Sequence, residues 1–350
     1  MARSDRPRGV LITRFSALGD VAMTIPVVYP VCRANADVRF VLVTQPWPAG
    51  VFQNCPSNLT VLPIDVHEQY SGVAGMWRLA SELKRDYPID AVADLHSVIR
   101  SWAIDARMRL KGVTVARIDK GRSDKRALVA GKRKEAVTST IDRYRAVFEQ
   151  LGLSLGEPFT TLYDGQALPE SPLVMGKQAG ERWIAIAPFA AHEGKNYPLE
   201  QMTQVVDALS AIDGLHIFLM GGGKAEKQAL RPIAMKHACV TSLAEVKHTF
   251  VDEFALLGNC ELMVTMDSAN AHLAALMGVP TITVWGATHP HCGFAAYQQQ
   301  PSQWVQRDDL ACRPCSVFGE RKCRYGDYRC LTGIDPQVIV DKVKQALHLS

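Results

Sequence analysis

Residues 264–290 read VTMDSANAHLAALMGVPTITVWGATHP, and this order of residues decides the fold class. The run ending at Met266 is apolar and partly β-branched, as a strand buried on both faces requires. Asp267 and Ser268 are favoured at a helix N-cap, so the spacing predicts a helix over 269–277. Gly278 can end that helix in the left-handed conformation, Pro280 cannot extend it, and 281–285 returns to a β-rich apolar run. Strand, helix and strand in this order make one α/β unit. In open α/β sheets, ligands gather at the carboxyl ends of strands, where a helix start offers unpaired N–H groups and a partial positive charge suited to phosphate. Asp267, Ser268, Ala269 and His272 all fall at such an end. Two readings stand at this point: an anion site, or two helix caps and a surface histidine.

The same alternation runs outward in both directions. Upstream, 183–187 and 215–220 read as strands and 199–211 and 224–236 as helices. The intervening loop PFAAHEGKNYP carries Lys195, an ammonium able to reach a diphosphate as a point charge or simply to be solvated. The loop MGGGKAE offers three glycines and Glu226, but its spacing matches neither the P-loop nor the dinucleotide fingerprint. At the other end of the chain, 9–13 reads as a strand, and Ser16-Ala17-Leu18-Gly19-Asp20 as a tight turn entering a helix that runs through 26–34. Pro26 kinks that helix or marks a later start. Backbone N–H groups of Ser16 to Gly19 can approach a ligand. Asp20 then sits at a carboxyl edge, as a base or as a first-turn residue favoured by the helix dipole. Strands over 38–44, 60–64 and 89–95 and helices over 75–86 and 98–110 follow, with Asp94, His96 and Arg100 at one strand end. A helix over 138–151 precedes a Gly-, Pro- and Ser-rich stretch at 152–176, which reads as the interdomain linker. Strands alternating with helices indicate doubly wound parallel sheets, and the chain divides into two similar halves.

A chain of 350 residues is long enough for about two domains. Its 47% apolar and 21% charged residues are those of a globular protein, and no apolar run reaches the roughly 20 residues that span a bilayer. Arg14 and Asp20 interrupt the first apolar patch and no small-residue cleavage site follows, so the expected location is cytoplasmic. A net charge of +4 does not by itself call for nucleic acid or membrane. The basic residues are clustered, however: Arg109, Lys111, Arg117, Lys120, Arg122, Lys125, Arg126, Lys132, Arg133 and Lys134 face only Asp119 and Asp124. That run reads as a solvated loop, or as a dock for an anionic acceptor or membrane surface. Nucleic acid is not expected, because few aromatics are interleaved for base stacking. Nine cysteines fit reduced cytosolic thiols. Four of them, Cys312, Cys315, Cys323 and Cys330, lie in CRPCSVFGERKCRYGDYRCL. The Cys-x-x-Cys start suits zinc, but the later spacings form no second close pair, so structural zinc and free thiols or a disulfide stand side by side. A closing amphipathic helix over 336–347 completes the chain.

ITRFSALGDVAMTIP, DLHSVIRS and MDSANAHLAALMGVPTITVWGATHP, with the cysteine-rich tail, together resemble glycosyltransferase family 9, the bacterial heptosyltransferase-like enzymes of lipopolysaccharide core assembly. The resemblance covers nearly the whole chain. It implies a GT-B fold: an acceptor-binding Rossmann-like domain (1–160), a nucleotide-sugar domain (161–330), a central cleft, and a closing helix (331–350) packed back on the first domain. It implies inverting transfer without a catalytic cofactor or metal, with Asp20 as the base. It places Lys195, Ser268 and Ala269 on the donor diphosphate, Asp267 and His272 in the same pocket and Glu226 beside the ribose. Ser16, Gly19, Asp94, His96 and Arg100 fall to the acceptor. ADP-heptose is the expected donor, an anionic lipid-linked saccharide the acceptor, and the inner membrane surface a peripheral partner. Two departures from the family pattern stand in the chain: Ala190 and Ala191 where hydroxyl residues often precede the lysine, and Ala269 where a glycine often follows the Asp-Thr/Ser pair. A sugar-nucleotide hydrolase or epimerase of the same architecture, or a non-catalytic sugar-nucleotide or glycan binder, are the rival readings. A dehydrogenase lacks its Gly-x-Gly-x-x-Gly after the first strand.

Overall fold

The computed structural model describes residues 6–349. The chain forms two compact units, the first made of residues up to Gly121 together with Thr138–Leu162, the second of Arg122–Val137 and Tyr163 onward.

The first unit holds five strands: β1 (Gly9–Thr13), β2 (Arg39–Thr44), β3 (Leu59–Pro63), β4 (Ala91–Asp94) and β5 (Thr114–Arg117), in the order β3-β2-β1-β4-β5. Every pairing is parallel. The central strands GVLIT and AVAD are buried at every position, which is why they read as continuous rather than alternating apolar runs. Leu11, Val41, Val43 and Val92 form one core with Met76, Leu79 and Leu83 of the helix Gly72–Asp86 and with Ile104 and Met108 of Ile99–Arg109.

The second unit holds β6 (Arg182–Ala187), β7 (Leu215–Leu219), β8 (Val240–Ser242), β9 (Leu262–Met266), β10 (Thr281–Val284) and β11 (Trp304–Val305), in the order β11-β10-β9-β6-β7-β8 and again all parallel. The helix Ala269–Leu276 links β9 to β10 as the decisive stretch predicts, and Gly278 adopts φ +70 where the chain turns back.

Several expectations change. The first helix is broken into Leu18–Ala22 and Ile25–Ala34, with Pro26 in the opening turn of the second, where its missing N–H costs nothing. The basic run is not one loop. Apolar Val115 and Ala116 make β5 the edge strand of the first sheet, and Arg122–Val129 is a helix whose Leu128 packs with Val137, Cys292 and Phe294 in the second unit. The closing helix Pro336–Ala346 does not leave the second unit for the first: Ile339, Val340 and Val343 are buried in the core formed by β6, β7, β9 and the helix Leu199–Ser210. Also unread were β8, β11 and the helices Pro46–Ala49, Phe250–Asn259 and Arg329–Thr332.

Candidate active site

Each sheet has one place where successive strands are laid down in opposite directions. In the first it lies between β1 and β4, in the second between β6 and β9. In open α/β sheets the loops leaving such strand ends diverge, which makes the switch point the usual ligand position. Most of the residues singled out in the sequence fall at these two places, while Glu226 follows β7.

In the first unit β1 ends at Thr13 and β4 at Asp94, opposite each other in register. Asp94 is fully buried and accepts from Thr13 Oγ1 (3.0 Å), His96 N (2.9 Å), Ser97 N (2.8 Å) and Ser101 Oγ (2.9 Å), with Arg117 Nε at 3.4 Å. A carboxylate so occupied is committed to holding its own loop. His96 is buried as well. Burial, then the charges of Arg14, Lys120 and Arg100, lower its pKa to about 3, so the ring is neutral. Its Nδ1 accepts from Phe15 N at 3.3 Å, which leaves the proton on Nε2. The following peptide, Ser16-Ala17, is cis, and Ser16 and Gly19 lie part-exposed along the turn.

Asp20 stands in the first turn of Leu18–Ala22 with its side chain 30% exposed, and Arg14 Nη2 reaches its Oδ2 at 2.5 Å. The guanidinium is anchored in turn, Nη1 donating to Leu95 O at 2.9 Å. Burial works against the charge of Arg14, yet Tyr144, Asp20 and Asp94 around it hold its pKa above the ordinary value. Tyr144 also donates to Asp20 O at 3.2 Å. The outcome is a solvent-reachable carboxylate fixed by a buried cation. Arg100 is exposed near the start of Ile99–Arg109. Deeper in this unit Asp105 is sealed from solvent, and burial followed by the nearby Asp94 raises its pKa to about 7 despite Arg117 Nε at 2.9 Å.

In the second unit the loop after β6 turns through Glu193–Lys195 and the loop after β9 carries Asp267. Lys195 Nζ lies 2.8 Å from Asp267 Oδ2, and Thr288 Oγ1 donates to the same oxygen at 2.8 Å. Asn196 fixes the lysine loop by accepting from Ala190 N (2.6 Å) and donating to Ala190 O (3.0 Å). Its side chain thereby ties down the segment where hydroxyl residues are missing. Ser268 occupies the N-cap position of Ala269–Leu276 but makes no side-chain cap, and Asp267 is turned to Lys195 instead. The capping expectation for these two residues is therefore not met. The helix start keeps its N–H groups for a ligand, beside an ammonium, an arrangement suited to a diphosphate. His272 is buried in that helix. Glu226 folds onto its own loop, accepting from Gly222 N at 2.7 Å at the carboxyl end of β7.

Sequence reasoning missed Arg14, Thr288 and Arg313. Arg14 directly follows a strand end, a position that signals a crevice residue. The other two lie in loops without periodicity. All nine cysteines are free. Cys312, Cys315, Cys323 and Cys330 line one pocket, but among the described residues no three His, Cys, Asp or Glu side chains converge as a metal-holding group. Burial raises the Cys315 and Cys330 thiols. At Cys323 burial acts in the same sense, but the N–H groups of residues 325–328 outweigh it and lower the pKa.

The sequence profile of glycosyltransferase family 9 (heptosyltransferase) matches residues 76–325, well over half of the chain. The chain belongs to glycosyltransferase family 9. It is 22% identical over 293 residues to the lipopolysaccharide core heptosyltransferase OpsX of Haemophilus influenzae, a match covering 82% of this chain and 81% of that one. The family 9 glycosyltransferase structure from Veillonella parvula is similar with a TM-score of 0.74 at 18% identity, covering 97% of each chain. An Escherichia coli heptosyltransferase solved with ADP gives 0.67 at 18% identity, covering 97% of this chain and 99% of that one. These likenesses fix the fold as GT-B, with two Rossmann-like units, and family membership makes the protein a glycosyltransferase.

Proposed function

We propose that this family 9 enzyme is an inverting heptosyltransferase that moves heptose from ADP-heptose to a hydroxyl of a lipid-linked lipopolysaccharide core acceptor. The observation that carries the reading is the placement of unlike chemistry at two switch points, an arginine-held carboxylate in one unit and a lysine beside an uncapped helix start in the other. The nucleotide is suggested by the ADP of the E. coli relative and the acceptor class by the activity of the H. influenzae relative.

In this reading Asp20 takes the proton of the acceptor hydroxyl as its oxygen attacks the anomeric carbon. The bond from that carbon to the diphosphate oxygen breaks, and ADP leaves with the electron pair. Lys195 and the N–H groups at Ser268 and Ala269 meet the charge that grows on the leaving group, where fixed donors lower the barrier most. Asp267 and His272 shape the same pocket, and Glu226 receives the ribose. Ser16, Gly19, His96 and Arg100 border the acceptor, with Asp94 acting only through the loop it holds. Exposed Arg122, Arg126, Lys132 and Lys134 supply cations for an anionic acceptor and the cytoplasmic face of the inner membrane, each worth about 1 kcal/mol near such a surface. Among the described residues no helix is long and apolar enough to cross a membrane, in keeping with peripheral attachment. At the four tail cysteines, which line one pocket without converging as a metal-holding group among the described residues, metal analysis separates the two readings: one zinc per chain supports structural zinc, and metal-free protein with four titratable tail thiols supports free thiols.

The test of function is transfer from ADP-heptose to heptose-deficient lipopolysaccharide core, read by mass of the product. A heptose added to the acceptor is the expected result. Release of free heptose alone, or no turnover across a panel of core acceptors, contradicts it.

A further inference from the structure

The cysteine-rich segment 312–330 has so far been given no part in the reaction, yet it packs directly against the lysine of the anion site. Gly319, at φ +84, lies on the aliphatic stem of Lys195: a Cβ there would stand 2.7 Å from Lys195 Cγ and 3.1 Å from Cε. Gly194, one residue before the lysine, is equally confined, since a Cβ would stand 2.9 Å from Ala287 Cβ and 3.0 Å from Gly319 O. A Cβ on Gly286 would overlap Gly194 O. Three chain segments therefore cross at these glycines: the lysine loop, the loop after β10 and the cysteine-rich segment.

Hydrogen bonds lock the crossing. Ala287 N donates to Gly194 O (2.8 Å), while Cys315 N and Ser316 N donate to Ala287 O (3.0 and 3.2 Å). Arg313 spreads its guanidinium over five acceptors: Gly286 O (2.6 Å), Arg307 O (2.8 Å), Trp285 O and Thr288 O (both 3.1 Å) and Gln306 Oε1 (3.2 Å). Thr288 is the residue whose hydroxyl bonds Asp267, the partner of Lys195. On the outer side Tyr328 OH donates to Glu193 Oε2 at 2.9 Å, two residues before the lysine.

We propose that segment 312–330 is part of the donor site, with Arg313, Gly319 and Tyr328 as positioning residues that set Lys195 over the helix start and thereby the affinity for a nucleoside diphosphate. The inference rests on the proposed role of Lys195. A lysine on a four-carbon stem loses much rotamer freedom when it grips a phosphate, and a stem already packed has less to lose. The segment thus acts on binding and not on proton transfer.

The test is calorimetric titration of the full chain with ADP. Gly319→Ala is expected to weaken binding about tenfold by displacing the lysine stem, and to add nothing further in a Lys195→Ala background, as coupled residues do. Gly326→Ala is the control: Gly326 has φ +77 in the same segment and nothing within 4 Å of a built Cβ, so it carries the backbone strain without the lysine contact and should leave affinity within about twofold. Tyr328→Phe, which only removes an exposed hydroxyl, is expected to weaken ADP about threefold with unchanged melting temperature, and it carries the test if Gly319→Ala fails to fold. Affinity unchanged in both Gly319→Ala and Tyr328→Phe, equal losses in Gly319→Ala and Gly326→Ala, or additive losses with Lys195→Ala overturn the positioning role while leaving the donor site standing. If Lys195→Ala itself binds ADP normally, the donor reading and this inference fall together.

Discussion

The two switch points share a topology and differ in what they leave open. Between β1 and β4 many of the polar groups are consumed internally: Asp94 accepts four hydrogen bonds, His96 is neutral and holds the Phe15 backbone, and Asp20 presents charge with Arg14 on one of its oxygens. Between β6 and β9 the balance is reversed. The helix start has no side-chain cap, and Lys195 holds a carboxylate that a phosphate can replace. On the proposed reading, the contrast divides the labour of a transfer reaction between the two switch points. In the proposed reaction a base has to be held in place, which the arginine-backed turn provides. A leaving group carrying two phosphates has to be received and released, which calls for donors left free until it arrives.

The comparison is most exposed to failure at Asp20. Asp20→Asn keeps the shape and removes the proton acceptor, so turnover should fall by about 10²–10⁴-fold. Near-normal turnover would take the base away from the first unit. Arg14→Lys comes next. The shorter, compact ammonium cannot reach Asp20 and Leu95 O together, and kcat is expected to drop about tenfold with KM for the donor unchanged. A rise in donor KM instead would mean that the two half-sites are not divided as described.

The smallest effect concerns the sealed interior of the first unit. Asp105 has a pKa of about 7 in the folded chain, raised from the ordinary carboxylate value. The folded state therefore keeps a proton that the unfolded chain releases, and this contribution to stability is lost as pH rises from the ordinary carboxylate range to about 7. Asp105→Asn removes that dependence. The melting temperature of the variant relative to wild type should increase by several degrees between pH 5 and pH 8. A constant difference would remove Asp105 as the source of the pH dependence.

Much of this was readable from the chain, for physical reasons. Strands buried on both faces must be apolar throughout, so GVLIT and LMVTM announce themselves, and Gly278 and Pro280 mark the turn between β9 and β10. The loops following such strands contain Asp20, Lys195 and Asp267, and topology does the rest. What escaped was either too short or too dependent on packing. β8 has three residues and β11 two, below the length at which alternation can be seen. The helix Phe250–Asn259 did carry a start signal in the reciprocal pairing of Thr249 and Asp252. Arg14 reads as an interruption of an apolar run, and nothing in its spacing to Asp20 foretells a 2.5 Å ion pair, because the intervening turn sets that distance. In the tail the cysteines drew the reading while Arg313, with five acceptors, escaped it. The closing helix shows the limit of family resemblance: its apolar face specifies burial, and only the structure shows that the second unit's core receives it.

The division of labour is tested most directly by titrating ADP into Asp20→Asn and Lys195→Ala side by side in a calorimeter. Asp20→Asn should bind within about twofold of the unaltered enzyme, because the proposed base acts on the acceptor hydroxyl, while Lys195→Ala should lose about tenfold or more with the removal of a charge-assisted bond. Normal binding by Lys195→Ala, or a comparable loss in both variants, would contradict the account.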